Sequence, residues 1–250
     1  MARQLQGIKV SKIWSALVAL MAVAGVGASS AEAGGLRSIK DDPANGIVWS
    51  GFYVGIHGGY GWGDTEHSPA GIPLPPPQAP QRVDANGGLV GVTWGANWQK
   101  GNWVYGLEGD FSFSNMDGTG SGAYCVAPCF TDVRNLGTAR VRLGYAANTS
   151  LVYVTGGLAY ANVHAGIRVG NLTFEDDKTR YGWALGAGIE WAFAPRWSLK
   201  AEYLHIDLGE RANWSLLVLP IDVDITADII RVGVNYNFGP DFWSNMLGVR

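Results

Sequence analysis

Charge is scarce in this 250-residue sequence: Asp, Glu, Lys and Arg make up 16% of it, against about a quarter in an ordinary soluble domain. Basic clusters are missing too. With 18 Lys and Arg against 21 Asp and Glu, and no stretch that concentrates the former, the chain lacks the electrostatic footprint of a nucleic-acid binder. Past residue 33 there is no apolar run long enough for a membrane helix, so any crossing of a bilayer must be made by strands. The glycines have no period of three, which excludes a collagen-like chain. A content of 47% hydrophobic residues at so little charge excludes disorder. What the sequence does have is glycine, 36 residues, and aromatic side chains, with Trp 11, Tyr 10 and Phe 8. Low charge, much glycine and many aromatics point to membrane-crossing strands.

The first residues read as an export signal. Arg3, Lys9 and Lys12 form a positive start, Ile13 to Val26 is largely apolar, and Ala31-Glu32-Ala33 supplies the small-x-small pattern of a cleavage site. Gly25, Gly27, Ser29 and Ser30 interrupt the run before about 20 residues, too short for a membrane helix. The expected division is a signal peptide over 1–33, a polar, loose periplasmic segment over 34–50, a barrel over 51–238 and a tail over 239–250.

Eight strand-like segments follow, starting at Phe52 and then at about 89–98, 103–114, 134–146, 151–164, 180–193, 197–208 and 226–238. The last alternates Ile230, Val232, Val234, Tyr236 and Phe238 with Arg231, Gly233, Asn235 and Asn237, the period-two signature of a strand with one apolar face. The fifth leaves its faces unassigned, because apolar residues stand at both parities. Short turns at 99–102, 147–150 and 194–196 alternate with longer polar stretches at 64–87, 115–132, 166–178 and 209–225. That rhythm predicts an all-β, eight-stranded antiparallel up-and-down transmembrane barrel with short periplasmic turns and four exposed loops.

A soluble eight-stranded barrel would point its apolar residues inward. Here the wide faces are aromatic and aliphatic, as in Trp103, Tyr105, Leu107, Phe111 and Phe113, and the opposite faces are small or charged, as in Glu108 and Asp110. Eight strands enclose an interior just wide enough for side chains to fill, so the aromatic faces are assigned to lipid. Trp98, Trp103, Tyr145, Trp191, Trp197 and Phe238 would form a periplasmic girdle, and Tyr60, Trp62, Phe113, Tyr181 and Trp183 an outer one. The inward faces carry Glu108, Asp110, Glu190 and Glu202 against Arg140, Arg142, Lys200 and Arg231. Four against four predicts an interior ion-pair network that closes the barrel to bulk flow.

The segment Trp49-Ser-Gly-Phe-Tyr-Val-Gly-Ile-His-Gly-Gly-Tyr-Gly-Trp62 resembles the opening strand of the small outer-membrane β-barrel proteins of alphaproteobacteria, a porin-family group similar to the barrel of outer membrane protein A. Gly137-Thr-Ala-Arg-Val-Arg-Leu-Gly-Tyr145, Tyr153-Val-Thr-Gly-Gly-Leu-Ala-Tyr160, Trp183-Ala-Leu-Gly-Ala-Gly-Ile-Glu-Trp191, Trp197-Ser-Leu-Lys-Ala-Glu-Tyr203 and Arg231-Val-Gly-Val-Asn-Tyr-Asn-Phe238 resemble later strands in the family's order. The resemblance covers about residues 49–238. It implies an abundant envelope protein in the outer membrane of a Gram-negative cell, a role that some relatives extend to haem binding or adhesion. Such chains usually end at the terminal aromatic of the last strand, whereas Gly239, Pro240 and further residues follow Phe238 here.

No nucleophile elbow, zinc-protease helix motif or phosphate-binding loop occurs in the sequence. Gly118 to Gly122 is glycine-rich, but no helix pattern follows it, which points to a flexible loop. His57, His67, His164 and His205 lie on separate segments without metal-ligand spacing. Asp222, Asp224 and Asp228 lack the central glycine and closing glutamate of a Ca²⁺ loop and read as solvated loop carboxylates. No cofactor and no metal are expected. Cys125 and Cys129, the only cysteines, stand in the second long loop and predict a loop disulfide in an oxidising compartment. The expected function is a structural, non-enzymatic surface barrel that supports envelope integrity, with a narrow porin or a loop-based haem or host-surface receptor as alternatives. Its expected partners are outer-membrane lipid and lipopolysaccharide, the outer-membrane assembly machinery and an unidentified surface ligand.

Overall fold

Strands that alternate one lipid-compatible face with one small or polar face cannot leave their edges open in a bilayer, so the sheet must close on itself. A computed structural model of the chain describes residues 47–69, 81–120, 129–169, 172–209, 214–216, 219–240 and 242 and shows that closure. The strands are β1 (Gly51–Pro69), β2 (Gln81–Lys100), β3 (Trp103–Gly120), β4 (Cys129–Ala147), β5 (Ser150–Val169), β6 (Leu172–Ala194), β7 (Trp197–Asp207), β8 (Trp214–Leu216) and β9 (Leu219–Asn237). Each long strand pairs antiparallel with its neighbour, and β9 returns to β1, with Tyr53 opposite Asn237 at one end of the seam and Pro69 opposite Ile221 at the other. The three-residue β8 only folds back on β9, with Leu216 opposite Leu219. The barrel therefore has eight staves, β1 to β7 and β9.

The three short connections are two-residue turns after Lys100, Ala147 and Ala194. Gly101 and Asn148 hold the left-handed backbone in the first two, at φ 59° and 55°, a conformation that glycine and asparagine adopt most readily. The other ends differ from the sequence expectation. Pairing continues through Asp64↔Asp84 to His67↔Gln81, through Asp117↔Asp132 to Gly120↔Cys129, and through Gly166↔Glu175 to Val169↔Leu172. The stretches 64–87, 115–132, 166–178 and 209–225 are thus in large part strand, not loop. A strand needs only about 9–11 residues to cross a membrane, and those here reach 18–23 residues, apart from β7 and β8. In these stretches the backbone keeps its ladder although the sequence carries no regular alternation of apolar and polar residues. The predicted signal peptide over 1–33 and most of the segment 34–50 lie outside the described residues.

Facing follows the predicted parity. Tyr181 is 75% exposed and Leu158 71%, on the outside, and Trp62, Trp98, Trp103, Tyr145, Trp183 and Trp191 are exposed there too. The fifth strand resolves, with Leu151, Tyr153, Thr155, Ala159, Ala161 and Val163 buried inside and Val152, Val154 and Leu158 outside. Both of its faces are apolar because it borders apolar fillings at each end of the lumen. In β4 a register shift between Val133 and Asn135 lets Val133 and Leu136 both point inward, with the exposed Arg134 as the bulged residue.

Candidate functional site

The lumen is filled in three layers. At the periplasmic end Trp49, Val104, Ala146, Leu151, Tyr153 and Ala192 pack together. Toward the outer end Leu89, Met116, Leu136, Ala161, Leu204, Ile206 and Ile229 are among the side chains that form a larger apolar layer. Between them sit the charges.

The structure brings all eight predicted interior charges together, and all are buried. Glu108 and Arg140, opposite one another on β3 and β4, form a close ion pair. Arg140 also reaches Asp110 at 3.0 Å and Glu202 at 3.2 Å. Lys200 Nζ lies 2.9 Å from Glu108. Arg231 binds Glu202 at 2.5 Å and, across the lumen from β9 to β3, Asp110 at 3.0 Å. Arg142 holds Glu190 at 2.6 Å. Each carboxylate therefore meets at least one cation, the condition under which buried charge is tolerated.

Polar residues that sequence reasoning left outside the network complete it. Tyr53 Oη donates to Glu108 at 2.6 Å and Tyr153 Oη to Glu202 at 2.8 Å. Thr138 donates to Asp110, and Ser198 and Asn235 to Glu190. The Arg142 guanidinium stands 3.9 Å above the Tyr153 ring, a cation–π contact shielded from water. His57 is held between Thr93 and Ser112 at 2.9 and 2.8 Å. Apart from Tyr153, whose strand left its faces unassigned in the sequence, their shared signal was an inward parity with a hydroxyl, amide or imidazole group. Inward glycines make the room: a Cβ at Gly95 would stand 2.5 Å from Tyr53 Oη, and one at Gly91 2.8 Å from His57 Nε2.

Two placements correct the sequence reading. The end of the expected loose segment 34–50 is tied to the barrel rim: Trp49 N donates to Gln99 Oε1 at 2.9 Å, Gln99 N donates to Ser50 Oγ at 2.8 Å, and Trp49 is 4% exposed. An indole is large and apolar enough to fill the mouth of an eight-stranded lumen, which a polar reading of the segment overlooks. Asp228 is not a loop carboxylate. It lies in β9 on the outward parity, where Tyr203 Oη donates to it at 2.7 Å and His205 Nδ1 stands 2.8 Å away. Tyr203, assigned to the lipid-facing set, keeps that parity but is covered there. Of the disulfide pair, Cys125 and the side chain of Cys129 lie outside the described residues, as do the side chains of His67, Asp222 and Asp224. Among the described residues no cluster of three or more His, Cys, Asp or Glu is placed to hold a metal ion.

Comparison with known proteins bears on this arrangement. The family described as "Outer membrane protein beta-barrel domain" matches residues 16–238. The 31 kDa outer-membrane immunogenic protein of Brucella melitensis biotype 1 is 38% identical over 207 residues, covering 78% of this chain and 86% of that one. The 22 kDa outer membrane protein of Rhizobium leguminosarum bv. viciae is 32% identical over 163 residues, 64% of each chain. The crystal structure of the outer membrane protein OprG from Pseudomonas aeruginosa shares the fold, with a TM-score of 0.50 at 14% identity, over 78% of this chain and 99% of that one.

Proposed function

Because the chain belongs to the outer membrane β-barrel family and resides in the bacterial outer membrane, we propose that it is a structural surface protein, a barrel that stiffens the envelope and passes no solute. The observation that supports this reading is the filling of the lumen. Eight charges pair across its middle, Trp49 and its neighbours fill the periplasmic end, and an apolar layer fills the outer half. An ion moving along the axis would have to break the buried pairs and then cross a layer made mostly of aliphatic side chains, a path disfavoured by several kcal/mol. A narrow porin would instead show a continuous polar wall.

Planar-bilayer recordings of the folded chain test this. Rare, small conductance steps are expected; large, stable, porin-sized currents from the monomer would replace the structural reading with the porin one.

The strands that continue past the lipid favour a second role, display. The relatives from Brucella are named immunogenic, and the residues between Pro69 and Gln81 include Pro73, Pro75, Pro76 and Pro77, a composition that favours an extended, unpacked segment. Cleavage of this segment by protease on intact cells, with the strands protected, is the expected outcome; resistance equal to that of the barrel would count against display.

A further inference from the structure

The outer wall of the barrel carries a polar couple that the lumen does not use. His205 on β7 stands opposite Asp228 on β9, and both point outward, since their strand neighbours Leu204, Ile206 and Ile229 are buried in the lumen. Asp228 Oδ1 accepts from Tyr203 Oη at 2.7 Å and lies 2.8 Å from His205 Nδ1. A carboxylate can only accept, so Nδ1 carries the proton of that bond and Nε2 is left to face the surroundings. Both side chains are partly exposed. The outward residues beside and beneath them, Leu185, Leu199, Ile230 and Val232, are exposed aliphatics. Ionisable groups set into a lipid-facing wall are costly, and where they persist they mark a site that something polar meets.

The height of the couple and its neighbours say what meets it. His205 stands eight residues from Trp197 and Asp228 ten from Phe238, both of the periplasmic girdle, and about 9–11 strand residues cross a bilayer. The couple therefore lies at the outer edge of the hydrocarbon, at headgroup level. Exposed indoles flank it. Trp183 on β6 lies 5.6 Å from the His205 ring, and Trp62 on β1 is in register with Asp228. Three strand spacings put these indoles about 14 Å apart. We infer that Trp183, His205, Asp228 and Trp62 form a binding site for the sugar headgroup of an outer-leaflet glycolipid. Indole faces attract the C–H faces of a pyranose ring, while a carboxylate and an imidazole nitrogen accept from its hydroxyl and amide groups. A bare phosphate would be repelled by Asp228 and would have no use for the indoles. A metal ion would lack a third ligand, since no cluster of three or more His, Cys, Asp or Glu is placed to hold one among the described residues. The site needs only the outer-membrane location and stands whether or not the lumen conducts.

The test folds the full chain into vesicles of phosphatidylethanolamine and phosphatidylglycerol with a minor fraction of lipid A, the acylated and phosphorylated glucosamine disaccharide. Folding is checked by heat-modifiable migration, and native mass spectrometry after mild detergent extraction reads the lipid retained. His205→Phe and Asp228→Asn are expected to retain about tenfold less lipid A than the unaltered chain, the factor carried by one hydrogen bond to a charged group. Phe113→Leu, across the barrel on β3, should retain as much as the unaltered chain. Equal retention by all four proteins, or equal loss in all three variants, would overturn the site. So would phosphatidylethanolamine held as well as lipid A, since the occupant would then be an ammonium headgroup. If the site variants do not fold, modification of His205 by diethyl pyrocarbonate in the unaltered chain serves instead. Its loss when lipid A is present supports the site, and undiminished modification overturns it.

Discussion

The middle and outer thirds of the lumen solve one packing problem with opposite chemistry. In the middle, long side chains such as Arg140, Arg231 and Glu202 cross the bore and meet head to head. In the outer third, Ala159, Ala161 and Ala184 leave room for Leu204, Ile206 and Ile229. Both fill the space, but they differ in how they fail. An aliphatic side chain removed from the outer layer leaves a hole, whereas a charge removed from the middle leaves several partners buried without compensation. The middle layer is therefore expected to be the more fragile under single substitutions and the more tolerant of paired ones.

That contrast can be broken or sharpened by five substitutions. The largest loss is expected for Glu202→Leu, which strips Arg231 and Arg140 of a shared carboxylate and should cost about 3–5 kcal/mol. Urea unfolding in lipid vesicles, followed by tryptophan emission, reads it; a shift in midpoint no larger than that of a surface variant would refute the idea that the charges hold one another. Leu204→Ala, in the fully buried outer layer, should cost about 2–4 kcal/mol by leaving a cavity, with bilayer conductance unchanged. If that variant conducts like a porin, the apolar layer is the gate and the charges are secondary.

Arg142→Met alone should destabilise nearly as much as Glu202→Leu. The double change Arg142→Met with Glu190→Leu removes both ends of the 2.6 Å pair and should recover about half of that loss or more. Additive losses in the double-mutant cycle would mean that the two residues do not act as a pair. The smallest effect belongs to Arg134→Ala. Its pair with Asp132, at 3.2 Å, is exposed on the bulge of β4, and such pairs contribute about 0–1 kcal/mol. A thermal midpoint that moves measurably at Arg134 would show that the outer crown of the barrel is held by more than its backbone ladder.

Much of the lumen is legible in the sequence. Glu108, Arg140, Lys200 and Arg231 could be placed inside by parity alone, because alternation along a strand is local. Tyr53 and His57 were legible only as members of an inward face, and Tyr153 not even as that, since the faces of its strand stayed unassigned. Their roles depend on which residue of another stave stands at the same height, as when Arg231 on β9 meets Asp110 on β3, 121 positions apart. The paired lengths of 64–69 and 81–87 were illegible, since pairing there is carried by the backbone and leaves no side-chain period.

The sequence by itself determined that this protein is a lipid-facing barrel of eight staves with a charged interior. Those properties follow from composition and from a repeat of two residues, which read the same whatever the strands' mutual stagger. The tertiary structure alone decided which charges pair, how Trp49 fills the periplasmic mouth, and that the chain turns at Gly239 to lay Phe242 on Phe52. Each of these depends on register around a closed ring. A shift of one residue turns a side chain to the other face and a shift of two moves it to another level of the lumen, and that stagger is set by all eight staves at once.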